Sequence, residues 1–243
     1  MALVSADDPI AVSAMAAVQE GDVAILRALL AEHRDLATAS IGNETERGGS
    51  RTLLHVVTDW PGHFPRGPET VAILVEAGAD VNATFNGPHA ETPLHWAASS
   101  DDVEVLDALL DRGADIEARG AVIGGGTAMA DATAFGQWRA ARRLLERGAS
   151  TSLWESAALG LRDRVQTFLA VGSVPLEEVT AAFWAACHGG HLHVAELLLD
   201  HGADLNWVGW DELTPLDVAE RSNADDVATW LYRRGARSAA DIA

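Results

Sequence analysis

The stretch Thr92-Pro93-Leu94-His95 decides the fold, because it begins a segment that the chain uses more than once. A threonine hydroxyl can cap the first turn of a helix, and proline is tolerated at the first helical position, whose backbone N–H has no intrahelical partner. The small pair Ala97-Ala98 follows, then an apolar run, and the segment ends in Gly113-Ala114-Asp115. This order predicts a helix, a turn and a second amphipathic helix that ends at a glycine.

Both ends of the segment recur along the chain. Worn copies of the first string begin at Thr52, Thr127 and Thr214. Copies of the Gly-Ala-Asp string begin at Gly78 and Gly202, and degenerate copies begin at Gly148 and Gly235. Most neighbouring copies are about 35 residues apart, a spacing typical of repeat proteins. Since one pair of helices cannot bury its own apolar face, we expect the units to stack.

With this spacing and the Thr-Pro-Leu-His-x-Ala signature, the sequence resembles the ankyrin-repeat family over nearly its whole length. The resemblance implies an all-α solenoid of helix-turn-helix units joined by extended or hairpin loops. We expect a single domain over residues 1–243 with seven units. Their approximate bounds are 9–40 for an N-terminal cap, 48–83, 87–118, 122–151, a truncated unit at 152–173, 178–207, and 210–238 for a C-terminal cap.

The second unit carries an insertion at residues 60–68, which contains two glycines and three prolines. Such a segment does not continue a helix, so it predicts a protruding loop between the paired helices. Long loops of repeat proteins often lie on the face that binds a partner.

Charge and composition exclude several classes of function. The chain has 17 basic and 36 acidic residues, a net charge of −19, and every basic residue is arginine. The absence of lysine excludes Schiff-base and P-loop lysine chemistry. A negative surface repels phosphates, so we expect no nucleic-acid partner. No apolar run is long enough to span a membrane, and residues 1–10 lack the positive start of a signal peptide.

Cys187 is the only cysteine, which excludes intramolecular disulfides and multi-thiolate zinc sites. Its place in a small pair predicts a buried and inert thiol. We expect a cytoplasmic protein, and the alanine-rich, lysine-free composition favours a bacterial source with a GC-rich genome.

The resemblance divides the eight tryptophans. By the family's register, Trp96, Trp154, Trp184 and Trp230 fall on positions that are buried in or between repeats, so we expect them to pack in the core. Other aromatic and polar residues fall after the small pairs, at loop tips or in the insertion. The residues expected to bind a partner are Asp59, Trp60, His63, Phe64, Phe85, His89, Phe135, His188, Trp210 and Asp211. An alternative is that some of these aromatic residues fold inward and stiffen the long loops.

Candidate chemistry is sparse. His188, His191 and His193 are close in sequence, but the turn between them does not force their rings to converge, so we expect no metal site. His55 and His95 fill the motif histidine, whose ring ordinarily bonds to the threonine hydroxyl or to nearby backbone. No nucleophile elbow or dinucleotide-binding glycine pattern is present. We expect no catalytic residue and no cofactor.

These observations favour a non-enzymatic module that binds another protein through its concave face and loop tips. The negative field favours a partner with a basic patch. We expect a monomer that binds neither nucleic acid nor membrane. The alternative is a small-molecule site or an acid–base enzyme that uses the groove under the 60–68 loop, with Asp59, His63, His89, His188 and Asp211 as its polar groups.

Overall fold

The structure is a computed structural model that describes residues 2–42, 49–172 and 174–242. The chain divides into two compact units, unit 1 at Met1–Ala149 and unit 2 at Ser150–Ala243. The expected repeat boundaries at Gly48 and Ser173 lie outside the described residues.

Unit 1 is built from stacked pairs of helices. The helices are α1 (Pro9–Glu20), α2 (Val23–Glu32), α3 (Leu53–Thr58), α4 (Gly67–Glu76), α5 (Pro93–Ser99), α6 (Val103–Leu110), α7 (Ala128–Ala134) and α8 (Trp138–Glu146). Each odd-numbered helix packs on the next odd-numbered one and each even-numbered helix on the next even-numbered one, while partners of a pair also touch. This layering of first helices and second helices is the all-α repeat fold that the sequence predicts.

A small sheet at the start of unit 1 was not expected from the sequence. It contains β1 (Leu3–Val4), β2 (Ser40–Gly42) and β3 (Ser50–Arg51), with β1 parallel and β3 antiparallel to β2. A 3-10 turn at Arg34–Thr38 leads into β2. Strands of two or three residues are too short to show an alternating pattern in the sequence, so tertiary pairing alone reveals them.

Unit 2 continues the pattern of paired helices. Its helices are α9 (Leu153–Ala158), α10 (Arg162–Val171), α11 (Leu176–His188), α12 (Leu192–Asp200), α13 (Pro215–Arg221), α14 (Asp225–Arg233) and α15 (Ala239–Ile242). The first helices α9, α11 and α13 pack in series, and a 3-10 turn at Trp210–Glu212 precedes α13. Helix α11 begins soon after α10 ends, so the Gly-Ala-Asp loop is missing there, as the sequence indicates for its truncated unit.

The helix starts confirm the role of the motif threonine and histidine. Thr92 lies just before α5 in an extended conformation, and Nδ1 of His95 accepts hydrogen bonds from the Thr92 backbone N–H at 3.1 Å and its hydroxyl at 2.9 Å. His55 accepts from Thr52 in the same way, with the hydroxyl at 2.9 Å. In unit 2, Asp217 takes the place of the histidine in the cap at Thr214. Both histidines are therefore structural.

The insertion is shorter than predicted. Helix α4 begins at Gly67, so Gly67 and Pro68 form its first turn, where a proline costs no hydrogen bond. The preceding loop is held on its neighbours: the His63 backbone N–H donates to Oδ2 of Asp102 at 2.8 Å, and the ring Nε2 lies 3.0 Å from the Ser100 carbonyl oxygen. The loop is thus fastened to α6 and the end of α5.

Candidate functional site

A pocket in unit 1 brings aromatic and acidic side chains together. We call it the aromatic pocket; it has a volume of about 210 Å³. Its lining residues are Thr58, Asp59, Trp60, Glu91, Trp96, Ser99, Ser100, Val122 and Phe135. They come from the ends of α3, α5 and α7 and from the loops before α5 and α7. Stacking of three consecutive repeats therefore builds the pocket.

The first helices of the repeats place the aromatic walls. Phe135 caps the end of α7 and is 47% exposed, and Trp60 follows the end of α3 and is 78% exposed. Trp96 is half-buried in α5. Its ring meets the His55 ring edge-on with centroids 4.9 Å apart, and the Phe85 ring lies 5.4 Å away on a tilt. These contacts fix the Trp96 ring, whereas the Trp60 ring remains open to solvent at the pocket mouth.

Two carboxyl groups lie at or behind the pocket. Glu91 lines it and is only 8% exposed; burial raises its pKa, while the Trp96 side chain, as a hydrogen-bond donor, acts in the opposite direction. Asp131 in α7 is fully buried, and burial, reinforced by the nearby Glu91 charge, raises its pKa to about 7. Its Oδ1 accepts from the Ile123 backbone N–H at 3.3 Å, while among the described residues its Oδ2 has no hydrogen-bond partner.

The remaining polar groups of the pocket already have intramolecular partners. Asp59 accepts from the Arg51 guanidinium at 2.6 Å. The hydroxyls of Thr58, Ser99 and Ser100 each donate to a backbone carbonyl of their own helix. The free hydrogen-bonding capacity of these hydroxyls is consequently to accept, as it is for the two carboxyl groups when they are ionised.

His55 belongs to the supporting layer beneath the aromatic walls. Its ring is fully buried, and burial lowers its pKa to about 4. Nδ1 accepts from Thr52, so Nε2 carries the proton and donates to the Glu91 backbone carbonyl at 3.1 Å. This bond positions the loop that carries the Glu91 side chain.

Only some of the predicted partner-binding residues of unit 1 line the aromatic pocket. Asp59, Trp60 and Phe135 line the aromatic pocket, but His63, Phe64, Phe85 and His89 do not. Phe85 is half-buried against Trp96, so it follows the alternative in which some aromatic residues fold inward. Phe64 is also half-buried, whereas His63 and His89 are exposed.

In unit 2 the tryptophans pack on one another. The Trp210 ring lies edge-on to the rings of Trp154, Trp184 and Trp207, at centroid distances of 5.8, 5.2 and 5.3 Å. We call these four residues the tryptophan cluster. Trp184 is 3% exposed, and its Nε1–H donates to the Leu213 carbonyl at 3.0 Å. Leu213 directly precedes the cap threonine of the next repeat, as Glu91 does in unit 1, so Trp184 performs the bond of the motif histidine it replaces.

The predicted site residues of unit 2 differ in accessibility. Trp210 is 43% exposed at the loop tip, and Asp211 is exposed and accepts from Arg221 at 2.7 Å. His188 is buried at the end of α11, with Nδ1 3.0 Å from the Ser222 hydroxyl oxygen. Its ring lies 5.5 Å from the Trp184 ring, so among the predicted partner-binding residues His188 is one that the fold buries.

The tryptophans expected in the core are buried to different extents. Trp184 is buried, while Trp96, Trp154 and Trp230 are half-buried, so each of these three packs against its neighbours with part of its ring exposed. Cys187 is buried as predicted, and burial raises the pKa of its thiol far above the usual value.

A cavity of about 350 Å³ at the N-terminal end of unit 1 is lined by none of the predicted residues. Within residues 2–42, 49–172 and 174–242, no group of three or more His, Cys, Asp and Glu side chains is arranged to hold a metal ion. No helix in that part of the chain is long and apolar enough to cross a membrane.

Comparison with known families identifies the repeats. A family model for ankyrin repeats in three copies matches residues 14–120, 66–153 and 153–241. The chain belongs to the ankyrin-repeat family. Ankyrin repeats are generally protein–protein interaction modules.

Curated relatives of this ankyrin chain are much longer proteins. An ankyrin repeat and KH domain-containing protein of Caenorhabditis briggsae is 33% identical over 232 residues, 91% of this chain and 8% of the relative. The SH3 and multiple ankyrin repeat domains protein 2 of Homo sapiens is 33% identical over 185 residues, 69% of this chain and 10% of that protein. The chain thus spans a tenth or less of their length. Both relatives are eukaryotic, so a bacterial source stays a prediction from composition.

Asp131 is not among the site residues predicted from the sequence. A signal was available: Asp131 occupies the ankyrin position after the four-residue motif, where Trp96 stands one repeat earlier and which the family pattern buries. A carboxyl group at a buried repeat position points to a perturbed pKa. The sequence places Glu91 at a loop tip just before the motif threonine Thr92, but its burial is set by the packing of the neighbouring repeats.

Proposed function

We propose that the chain is a non-enzymatic ankyrin module that binds another protein through its concave face and loop tips. The observation that carries this proposal is Trp60, a 78% exposed indole at the mouth of a pocket walled by Trp96 and Phe135. Exposed aromatic residues beside a partly enclosed pocket have the composition of interface hot spots. In unit 2, Trp210 supplies a second exposed indole at a loop tip.

The loop tips are held in place before any partner arrives. The backbones of Ser50 and Asn86 exchange two hydrogen bonds, at 2.9 and 3.0 Å. The Asn82 side chain bridges to the next repeat, accepting from the Asp115 N–H at 2.7 Å and donating to the Gly113 carbonyl at 3.2 Å. Asn206 accepts from the Arg237 N–H at 2.8 Å in the same manner. Ordered loops lose less conformational entropy on binding.

A small-molecule site or acid–base enzyme under the 60–68 loop is less well supported. Only Trp60 of that loop lines the pocket, and the loop is fastened to α5 and α6 instead. The volume of about 210 Å³ lies below the roughly 300–1,000 Å³ of small-molecule sites. Asp59 is paired with Arg51, and His63 and His89 do not line the pocket. We therefore assign no catalytic residue, cofactor or metal.

The test is affinity purification from extracts of the source cells with a folded Trp60→Ala, Trp210→Ala double variant. We expect the double variant to lose partners that the parent chain retains. Tyr232→Ala is the matched control, because Tyr232 is an exposed aromatic residue outside the predicted surface. Unchanged recovery with a folded double variant would remove this contact surface. The same proposal includes a partner with a basic patch, a monomeric chain and a cytoplasmic location.

A further inference from the structure

We propose that the aromatic pocket of unit 1 receives an arginine side chain of the partner protein, with its guanidinium between the aromatic walls and its N–H groups on Glu91. This inference rests on the proposed protein-binding function and specifies the chemistry that the pocket recognises. The feature behind it is the combination of aromatic walls, buried carboxyl groups and a volume suited to one side chain.

Three aromatic side chains, those of Trp60, Trp96 and Phe135, line the same pocket. The Trp60 and Phe135 rings are exposed, and Trp96 is held by its contacts with His55 and Phe85. A cation beside such rings is attracted by their negative faces, and tryptophan is the strongest partner. The chain already contains one pairing of this kind: the Arg234 guanidinium carbon lies 5.0 Å from the Trp230 ring centroid.

The charge in and behind the pocket is negative and incompletely compensated. Arg51 pairs with Asp59, but no ion pair is observed for Glu91 or Asp131 among the described residues. The two carboxyl groups also act on each other, because the Glu91 charge is one of the causes that raise the pKa of Asp131. A cation that enters here would relieve this repulsion.

The unused hydrogen-bonding capacity of the pocket also favours a ligand that donates hydrogen bonds. The three lining hydroxyls donate to helix carbonyls, so their unused capacity is to accept. A ligand rich in N–H groups fits this lining, whereas an anion or a carbonyl-rich ligand does not. The net charge of −19 attracts basic segments at long range.

Arginine satisfies these requirements better than lysine. Its guanidinium is planar, stacks on aromatic rings and presents five donors in a fixed fork, whereas the lysine ammonium is a compact and strongly hydrated charge. The pocket supplies both ring surfaces and a carboxylate, which are the two partners that a guanidinium engages at once.

The experiment is an NMR titration of the tryptophan indole N–H signals with three capped amino acids. The probes are the Nα-acetyl methylamides of arginine, lysine and citrulline, the last being a neutral analogue of arginine with nearly the same shape. We expect arginine to shift the Trp60 and Trp96 signals in a saturable way, and citrulline to bind about tenfold more weakly. Lysine should fall between them. Equal binding of arginine and citrulline would overturn the proposal, and tighter binding of lysine would overturn the choice of arginine.

Two variants locate the site. Glu91→Gln should weaken arginine binding by about tenfold, while Glu104→Gln on the exposed side of α6 should leave it unchanged. Phe135→Ala removes an exposed wall and should also weaken binding, which keeps the test decisive if Glu91→Gln fails to fold. If folded Glu91→Gln and Phe135→Ala variants both bound arginine as tightly as the parent chain, the aromatic pocket would be refuted as the binding site.

These results separate from those of the proposed function. The titration requires no partner protein, whereas the affinity purification requires no arginine. Loss of partner in the double variant combined with no arginine binding would leave a protein-binding module that recognises something else in this pocket.

Discussion

The aromatic pocket of unit 1 and the tryptophan cluster of unit 2 use similar residues at similar places in the repeat, with opposite results. In unit 2, Trp184 and Trp210 pack edge-on at 5.2 Å, and this packing leaves Trp184 only 3% exposed while Trp210 keeps 43% of its surface exposed at the loop tip. In unit 1, Trp60 and Phe135 remain exposed around a cavity of about 210 Å³. The difference teaches that an aromatic residue becomes core or binding surface according to what the neighbouring repeats place against it.

The residue at the motif-histidine position also differs between the two units, with a corresponding effect on the aromatic residues around it. His55 donates to the Glu91 carbonyl, and Trp184 donates to the equivalent Leu213 carbonyl. The indole keeps the bond between repeats but adds apolar area that attracts the other rings. In unit 1, the smaller imidazole leaves room for Trp96 and Phe85 above it.

The largest expected effect comes from removing the buried member of the tryptophan cluster, Trp184. Trp184→Ala should lower the free energy of unfolding by about 3–5 kcal/mol, because it deletes a buried indole and one of the two N–H donors to the Leu213 carbonyl, which keeps only the Gly209 N–H. Trp184→His keeps a ring donor and should cost less. Denaturant unfolding measures both variants.

Trp60→Ala is the matched control for that loss. Since Trp60 is 78% exposed, its removal should change the free energy of unfolding by no more than about 0.5 kcal/mol. If the two alanine variants were equally stable, the contrast between a core cluster and a binding surface would be wrong.

A pH-dependent effect of intermediate size is expected at Asp131. Its pKa is raised from 3.8 to about 7 in the folded chain, so its contribution to stability is fully present below pH 3.8 and is lost as the pH rises through 7. Asparagine does not ionise, so the Asp131→Asn variant does not lose stability in this way as the pH rises. Relative to the parent chain, the variant should gain up to about 4 kcal/mol between pH 4 and pH 8.

Comparing the two chains at each pH cancels the titration of His55 and His95, whose pKa values are lowered by burial. Asp217→Asn in unit 2 serves as the opposite case. Burial of Asp217 is outweighed there by hydrogen bonds from Thr214 and Ala239, which lower its pKa, so its stabilisation is lost on acidification instead. A pH-independent difference for Asp131→Asn would show that its carboxyl group is not perturbed.

Among the variants expected to change stability, the smallest effect is expected at the cap of α13. Thr214→Ala removes the hydroxyl that accepts from the Asp217 N–H at 3.2 Å and should cost about 1 kcal/mol. Thr214→Ser keeps the hydroxyl and should recover most of that loss. Thermal unfolding resolves the two, and an equal cost for alanine and serine would contradict a capping role.

The sequence by itself determined the repeat, the starts of the capped helices and the structural role of the motif histidines. These features depend on local rules: a threonine caps a helix, a proline fits its first turn, and a glycine adopts the positive φ that ends a repeat, as at Gly78. The register also placed Trp184 on the motif histidine, where the structure finds it.

Only the tertiary structure decided which of these residues surround a cavity. Glu91 comes from one loop, Trp60 from the end of α3 and Phe135 from the end of α7, so their meeting depends on the stacking of three repeats. The burial of His188 and the inward turn of Phe85 have the same origin. Local sequence sets which helices form, but burial and charge are properties of the assembled neighbours, and they decide which side chains are left for a partner.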